Sequence, residues 1–418
     1  MQNVAITGMG IISSLGVTVE NFYKRVMGGE IAVREAPWQK DFEGRKMWWS
    51  AVEEFEPSQS IAPEIEAGTD LFAQFALAAT HQAVADAKIS FDSERTAIVH
   101  GTSIGGGRSM MLAQHNLERN GPLAIDRKMP IQIMPNMAAA QTAIHYDLHG
   151  PSMTITTACA SSGDALGLAG RLIETGEVDV AIAGATEGGL SLAGGKPDEH
   201  FIPSLFYGYN LYGMESFSSD PKRAMIPFDT ERSGIVMGEG SGVFILEREE
   251  HARSRGANIH GFLRGYASIA DASHPSSPEA TGRWESRVME KALGDAQIEP
   301  QEVDALIAHA TGTPKGDTAE IQAINRVHSE GRESPLPVSS IKGHVGHSGA
   351  ASGAMAIIAA LRGMKDDRFF HTAGTRNVDL NCDFDVVIEK PRDLEVNLLQ
   401  VNSFGFGGQN ASVIISRN

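Results

Sequence analysis

One of the two cysteines in this 418-residue chain has the setting of a nucleophile. Cys159 lies in Thr156-Thr157-Ala158-Cys159-Ala160-Ser161-Ser162-Gly163, between an apolar extended run and a helical pattern. A strand–turn–helix of small residues would set the sulfur at a helix N-terminus, where N–H groups and the helix dipole favour thiolate. Small neighbours would also leave room for a substrate. An isolated cysteine is often simply buried, so the elbow alone leaves nucleophile and structural residue equally open. Two histidines shift the balance. His309 sits where a strand pattern gives way to the polar turn Ala310-Thr311-Gly312-Thr313-Pro314-Lys315-Gly316-Asp317. His347 closes Lys342-Gly343-His344-Val345-Gly346-His347, just before an apolar helix. A cysteine elbow with two histidines at element ends is a set suited to covalent acid–base chemistry. His100, His200 and His328 read as structural or exposed. No metal is expected, because His344 and His347 lack a nearby soft ligand and HExxH is absent. A glycine-rich closing run, Asn402-Ser403-Phe404-Gly405-Phe406-Gly407-Gly408-Gln409-Asn410, would bring backbone amides close to a reacting centre and give Phe406 room to swing. It is neither GxGxxG nor a P-loop, so nucleotide binding is disfavoured.

These residues need α/β elements to hold them. Strand patterns run over Val4–Thr7, Thr96–His100, Val178–Ala183, Val243–Leu246, Ala305–His309 and Ala411–Ile415. Helical patterns cover Leu71–Ala87, Gly163–Ile173, Trp284–Ala296, Thr318–Val327 and Ala351–Leu361. Such alternation predicts layers around largely parallel sheets. Two echoes suggest a duplication. Ala83–Ile89 resembles Ala292–Ile298, and each leads to a strand ending in histidine, His100 and His309, at the same offset of 209. Ala160-Ser161-Ser162-Gly163 resembles Ala350-Ala351-Ser352-Gly353. Two halves, 1–255 and 256–418, are therefore expected in one packed unit. The irregular stretch Gly188–Phe228, carrying Phe201, Tyr209, Tyr212 and Phe217, reads as a lid or dimer-contact segment packing its own aromatics.

Composition narrows the partners. With 35 basic and 52 acidic residues the net charge is −17, which argues against nucleic acid or an anionic membrane surface. Two cysteines exclude a disulfide framework and point to a reducing compartment. The N-terminal apolar run has no basic flank, and no apolar run approaches the roughly 20 residues of a membrane span. A cytoplasmic, soluble protein is expected.

From Ile6-Thr7-Gly8-Met9-Gly10 to Asn402–Asn410, the motifs together resemble the elongating type-II β-ketoacyl-[acyl-carrier-protein] synthases of the thiolase-like superfamily. That resemblance implies a five-layer αβαβα fold of two related halves. It implies decarboxylative condensation of an acyl-enzyme thioester with malonyl-acyl carrier protein, without metal or other cofactor. Partners would be acyl carrier protein and either a second copy or a related ketosynthase-like subunit. Carried over by motif, Cys159 would take the acyl chain, and His309 and His347 would act on the malonyl thioester. Lys342 would tune the histidines. Phe406 would gate the site, its N–H forming an oxyanion hole with that of Cys159. Thr311, Thr313 and Ser276 would line the pantetheine channel. The thiolase cousins' late Cys-x-Gly motif is missing: Cys382 stands in Asn381-Cys382-Asp383-Phe384.

The chain departs from the family pattern in places. Ala310 replaces a usual glycine, and Ala356 replaces a usual glutamate partner of Lys342, for which Glu320 and Asp317 are candidate substitutes. Pro63–Asp70 is acidic where relatives often present basic residues to the carrier, leaving Arg127, Lys128, Lys222 and Arg223 as candidate docking charges. These departures, with a long 188–228 excursion, tilt the expectation from fatty-acid elongation toward a specialised polyketide or polyene synthase. A non-catalytic, chain-length-determining partner subunit is the alternative.

Overall fold

The computed structural model describes residues 4–37, 46–189 and 204–418. Its first five long strands are β1 (Val4–Ser13), β2 (Thr96–Gly101), β3 (Ser152–Ile155), β4 (Val180–Glu187) and β5 (Gly240–Arg248). They lie in the order β3-β2-β4-β5-β1, with β3, β2 and β4 mutually parallel and β5 antiparallel to both β4 and β1. The next five are β6 (Gly261–Ala270), β7 (Ala305–Ile307), β8 (Pro337–Ser339), β9 (Leu398–Gly405) and β10 (Gln409–Ser416). Their order, β8-β7-β9-β10-β6, and their directions repeat the first set strand for strand. Val4–Ile6 of β1 pairs with Gly261–Leu263 of β6 and joins the two sets into one sheet.

Helices complete five layers. On the outer side of the first strand set lies α1 (Leu71–Ala87), packed on β1, β5 and β4. On the outer side of the second lie α4 (Arg283–Ala296), against β6 and β10, and α5 (Pro314–His328), against α4. Between the sets run α2 (Ser161–Glu174) and α6 (Ser352–Lys365), which touch strands of both. A helix sandwiched between two sets of strands has no solvent face, which is why α6 is apolar on every side and buried from Ser352 to Leu361.

The sequence echoes are visible as geometry. Lys88 after α1 and Gln297 after α4 both end their helices in the left-handed conformation, with φ of 50° and 57°. Each of these helices presses on a strand glycine. A Cβ on Gly8 would stand 2.1 Å from the Ala83 carbonyl oxygen and 2.9 Å from Ala87 Cβ. On Gly265 it would stand 2.6 Å from the Ala292 oxygen and 2.8 Å from Ala296 Cβ. Strand bounds differ from expectation chiefly after β7. The expected strand to His309 stops at Ile307, because the His309 and Ala310 amides bond to the Glu320 carboxylate and not to a neighbouring strand. Among the described residues no helix is long and apolar enough to cross a membrane.

Gly8→Ala and Gly265→Ala should each force helix and strand apart, at about 1–3 kcal/mol of stability. Urea unfolding of the two single variants checks this, and the larger loss is expected at Gly8, where the helix oxygen stands closer.

Candidate active site

Cys159 follows β3 in a single helical turn, Ala158–Ala160, that runs into α2. Ala158 is forced to a φ of 50°, a conformation rare for alanine, which turns the chain sharply before the sulfur. His347 reaches the same point from the turn before α6. Its Nε2 lies 3.0 Å from Cys159 Sγ and its Nδ1 3.0 Å from Ser352 Oγ. The His309 ring packs edge-on to His347 at 5.4 Å between centroids. The three donor atoms of Cys159, His309 and His347 lie within 4.8 Å of one another, a convergence that spacing along the chain did not show. Soft donors of this type could attract zinc, but the Lys342 ammonium 3.4 Å from His309 Nδ1 sets a positive charge against any dication there.

Lys342 answers the question left by Ala356. Its ammonium donates to the His309 carbonyl oxygen and to His309 Nδ1. Glu320 and Asp317 act on it electrostatically, and neither forms a direct ion pair with it. Glu320 instead accepts from the His309 and Ala310 amides at 2.8 and 2.6 Å, and Asp317 from those of Phe228 and Gly312 at 2.8 and 3.0 Å. These carboxylates hold the histidine loop in place, and Ala310 is held at a φ of 20° within it.

Burial controls the protonation states. It lowers both His309 and His347 far below the ordinary histidine range, with the Lys342 charge acting in the same direction, so both are neutral N–H donors near pH 7. Burial also pushes the Cys159 thiol up to about 11, against smaller opposing effects of Lys342 and the N–H groups of Phe406 and Cys159. The expectation that the helix N-terminus would favour thiolate is thereby corrected: desolvation outweighs the amides.

A cavity of about 420 Å3 leads to Cys159. Thr311, Thr313 and Ser276 line it. Thr311 Oγ1 lies 3.0 Å from Thr313 Oγ1, which caps α5 by accepting from the Gly316 amide at 3.2 Å. Ser276 Oγ lies 2.7 Å from the Tyr212 hydroxyl. Phe406, 37% exposed, stacks on Tyr209 of α3 (Ser204–Leu211) at 6.4 Å. Its loop comes close because Gly405 has no Cβ, which would stand 2.7 Å from the Thr157 oxygen. Tyr212, Met214 and Phe217 therefore form cavity wall, where packing among their own aromatics was expected of that segment. His200 and Phe201 fall outside the described residues. His100 and His328 are buried away from the cavity.

The four candidate docking charges separate. Arg127 and Lys222 are exposed. Lys128 is exposed too, its ammonium 3.4 Å from the Ala67 carbonyl at the end of the acidic helix Pro63–Glu66. Arg223 is only 11% exposed and bonds to Asp229, Glu231 and the Gly374 carbonyl, so it is a structural cation and not a docking one. Sequence reasoning missed Ser352, Glu285, Asp271 and Asn410, polar residues at or beside the site whose local patterns match any helix start or strand end.

Residues 1–252 match the family model for the β-ketoacyl synthase N-terminal domain, and residues 260–376 match that for its C-terminal domain. The chain belongs to the β-ketoacyl synthase family. It is 33% identical to 3-oxoacyl-[acyl-carrier-protein] synthase 2 of Staphylococcus aureus and 32% to that of Synechocystis, each over 100% of this chain and 98% of the relative. Among solved structures it resembles a type II polyketide ketosynthase bound to its acyl-carrier protein and a hexaketide (TM-score 0.90, 28% identity, 100% and 99% of the two chains). It also resembles the ishigamide ketosynthase/chain length factor (TM-score 0.88, 30% identity, 100% and 99%). The thiolase-like fold expected from the motifs is thus shown.

A thiol held near 11 is protonated through neutral pH, so the iodoacetamide alkylation rate of Cys159 should keep rising between pH 7 and 10. A plateau at or below pH 8 would contradict the desolvated thiol.

Proposed function

We propose that this β-ketoacyl-[acyl-carrier-protein] synthase elongates carrier-bound acyl chains by decarboxylative Claisen condensation. The observation that carries the reading is the convergence of Cys159, His309 and His347 beside Lys342 at the end of one cavity. In this reading Cys159 sulfur attacks the incoming acyl thioester, and its proton leaves with the departing carrier thiol. Malonyl thioester then enters the cavity past Phe406. The neutral His309 and His347 donate N–H bonds to its thioester oxygen, so the electrons freed when the C–C bond to CO2 breaks collect in a stabilised enolate. The enolate carbon attacks the acyl-cysteine carbonyl. Its oxyanion is held by the Cys159 and Phe406 amides, and collapse expels the cysteine sulfur, leaving a chain two carbons longer. Lys342 holds His309 with Nε2 protonated and so acts as a positioning residue for it.

The long 188–228 segment and the polyketide context of the structural relatives support a specialised polyketide or polyene setting, and the curated relatives support fatty-acid elongation. The intact trio disfavours the non-catalytic partner reading. Either a homodimer or a pairing with a related subunit fits the family, and we place the protein in the cytoplasm. The units 1–255 and 256–418 are proposed as the duplicated halves, in line with the repeated strand order. The net charge of −17 opposes an acidic carrier, so docking falls to local cations, with the exposed Arg127 and Lys222 as candidates.

Cys159→Ala should abolish acyl transfer, with no acyl adduct by intact-mass analysis, and His309→Ala or His347→Ala should slow malonyl-carrier decarboxylation by 10²-fold or more. Elongation surviving in Cys159→Ala would refute the reading. Arg127→Glu and Lys222→Glu should raise the carrier-protein KM several-fold at low salt with kcat unchanged, and an unchanged KM would move docking to a partner subunit.

A further inference from the structure

His347 is a neutral imidazole, so its two ring nitrogens share one proton. Which nitrogen holds it decides what the ring can do at the reacting centre. Nε2 lies 3.0 Å from Cys159 Sγ, and Nδ1 lies 3.0 Å from the Oγ of Ser352, the first residue of α6. The backbone fixes the ring's place: the His347 amide donates to the Val236 carbonyl at 2.7 Å, and the Gly238 amide to the His347 carbonyl at 2.9 Å. Ser352 is 2% exposed, and among the described residues Nδ1 is the hydrogen-bond partner of its hydroxyl. A donor count separates the two proton arrangements. With the proton on Nδ1, the ring donates to Ser352 Oγ and the Cys159 S–H donates to Nε2, which leaves the serine O–H buried with nothing to accept it. With the proton on Nε2, Ser352 donates to Nδ1, the ring directs its N–H at the sulfur, and the thiol hydrogen is the one left over. A thiol is a weak donor and a hydroxyl a strong one, so the second arrangement forfeits less.

We propose that Ser352 is a positioning residue, its hydroxyl donating to His347 Nδ1 and so keeping the ring proton on Nε2, where the thioester oxygen is to be held. The kinetic consequence rests on the condensing-enzyme reading above, while the proton's position can be read without turnover. The two half-reactions depend on it differently. Decarboxylation needs Nε2–H as a donor to the developing enolate oxygen. Loading of Cys159 does not, since a bare Nε2 can accept the S–H.

The test uses the full chain carrying 15N-labelled histidine, with the His347 ring signals identified by their loss in His347→Asn. In wild type Nε2 should be the protonated nitrogen and Nδ1 the bare one, and in Ser352→Ala the Nδ1-protonated form should gain several-fold in population. Wild type protonated on Nδ1, or a Ser352→Ala spectrum like that of wild type, overturns the proposal whatever the activity. In parallel, Ser352→Ala should slow malonyl-carrier decarboxylation about tenfold, mainly through kcat, and leave acylation of Cys159 within about twofold. Ser352→Thr keeps the hydroxyl and should stay within about threefold of wild type in both steps. Equal slowing of both steps in Ser352→Ala marks a packing effect and overturns the positioning role, as does no slowing of either. Wild type with its proton on Nε2 but no decarboxylation removes the condensing reading and leaves the proton assignment standing.

Discussion

Everything at the active site depends on how closely the N-termini of α2 and α6 approach each other in the middle layer. A Cβ on Gly353 would stand 2.4 Å from Ser162 Oγ and 2.7 Å from Ser403 Oγ. Those two segments, Ala160–Gly163 and Ala350–Gly353, are the two copies of one sequence echo, and they face each other across the molecule. Small residues are required on both sides because each helix start must bury itself against the other and against a sheet. The turn before one helix carries Cys159, and the turn before the other carries His347. Apposition of the helix starts therefore makes the 3.0 Å contact between sulfur and imidazole. A duplicated fold thus supplies different chemistry from equivalent positions: a nucleophile from one copy, a hydrogen-bond donor from the other.

Desolvation is the second constraint, and it sets the resting state. Cys159, His309, His347, Lys342, Glu320 and Asp317 are all buried. Placing them together favours neutral forms for the histidines and the thiol, and raises both carboxyls. Neutral imidazoles suit the role of N–H donors to a thioester oxygen, since an imidazolium would be costly in so dry a site. Lys342 is tolerated because its ammonium is bound to His309 and its field is answered by Glu320 and Asp317. The same carboxylates spend their hydrogen-bonding capacity on backbone amides, so the loop carrying His309 is held by its own electrostatics. Cavity and wall follow from the closing hairpin β9–β10 and from α3, which together bring Phe406 against Tyr209.

Local sequence was enough for much of this. Alternating strand and helix patterns located the main elements, α1 to the residue, because hydrophobic period is a local property. The echoes foretold a repeated topology, and the strand orders of the two halves match. Motif types singled out Cys159, His309, His347 and Phe406, since small residues around a cysteine and glycines around a phenylalanine are readable without coordinates, and the family resemblance added Lys342. Tertiary structure decided what depends on neighbours distant in the chain. The thiol is raised and not lowered, because burial comes from both halves and outweighs the helix terminus. Arg223 is tied to Asp229 inside the protein, although its charge looked free along the sequence. Lys342 turns to the His309 carbonyl in place of a carboxylate. Glu285 and Asn410 were invisible for the same reason: a glutamate in a helix's first turn and an asparagine at a strand start are ordinary locally. Only the packing of α4 and β10 around one cavity leaves a polar atom of each buried without a partner.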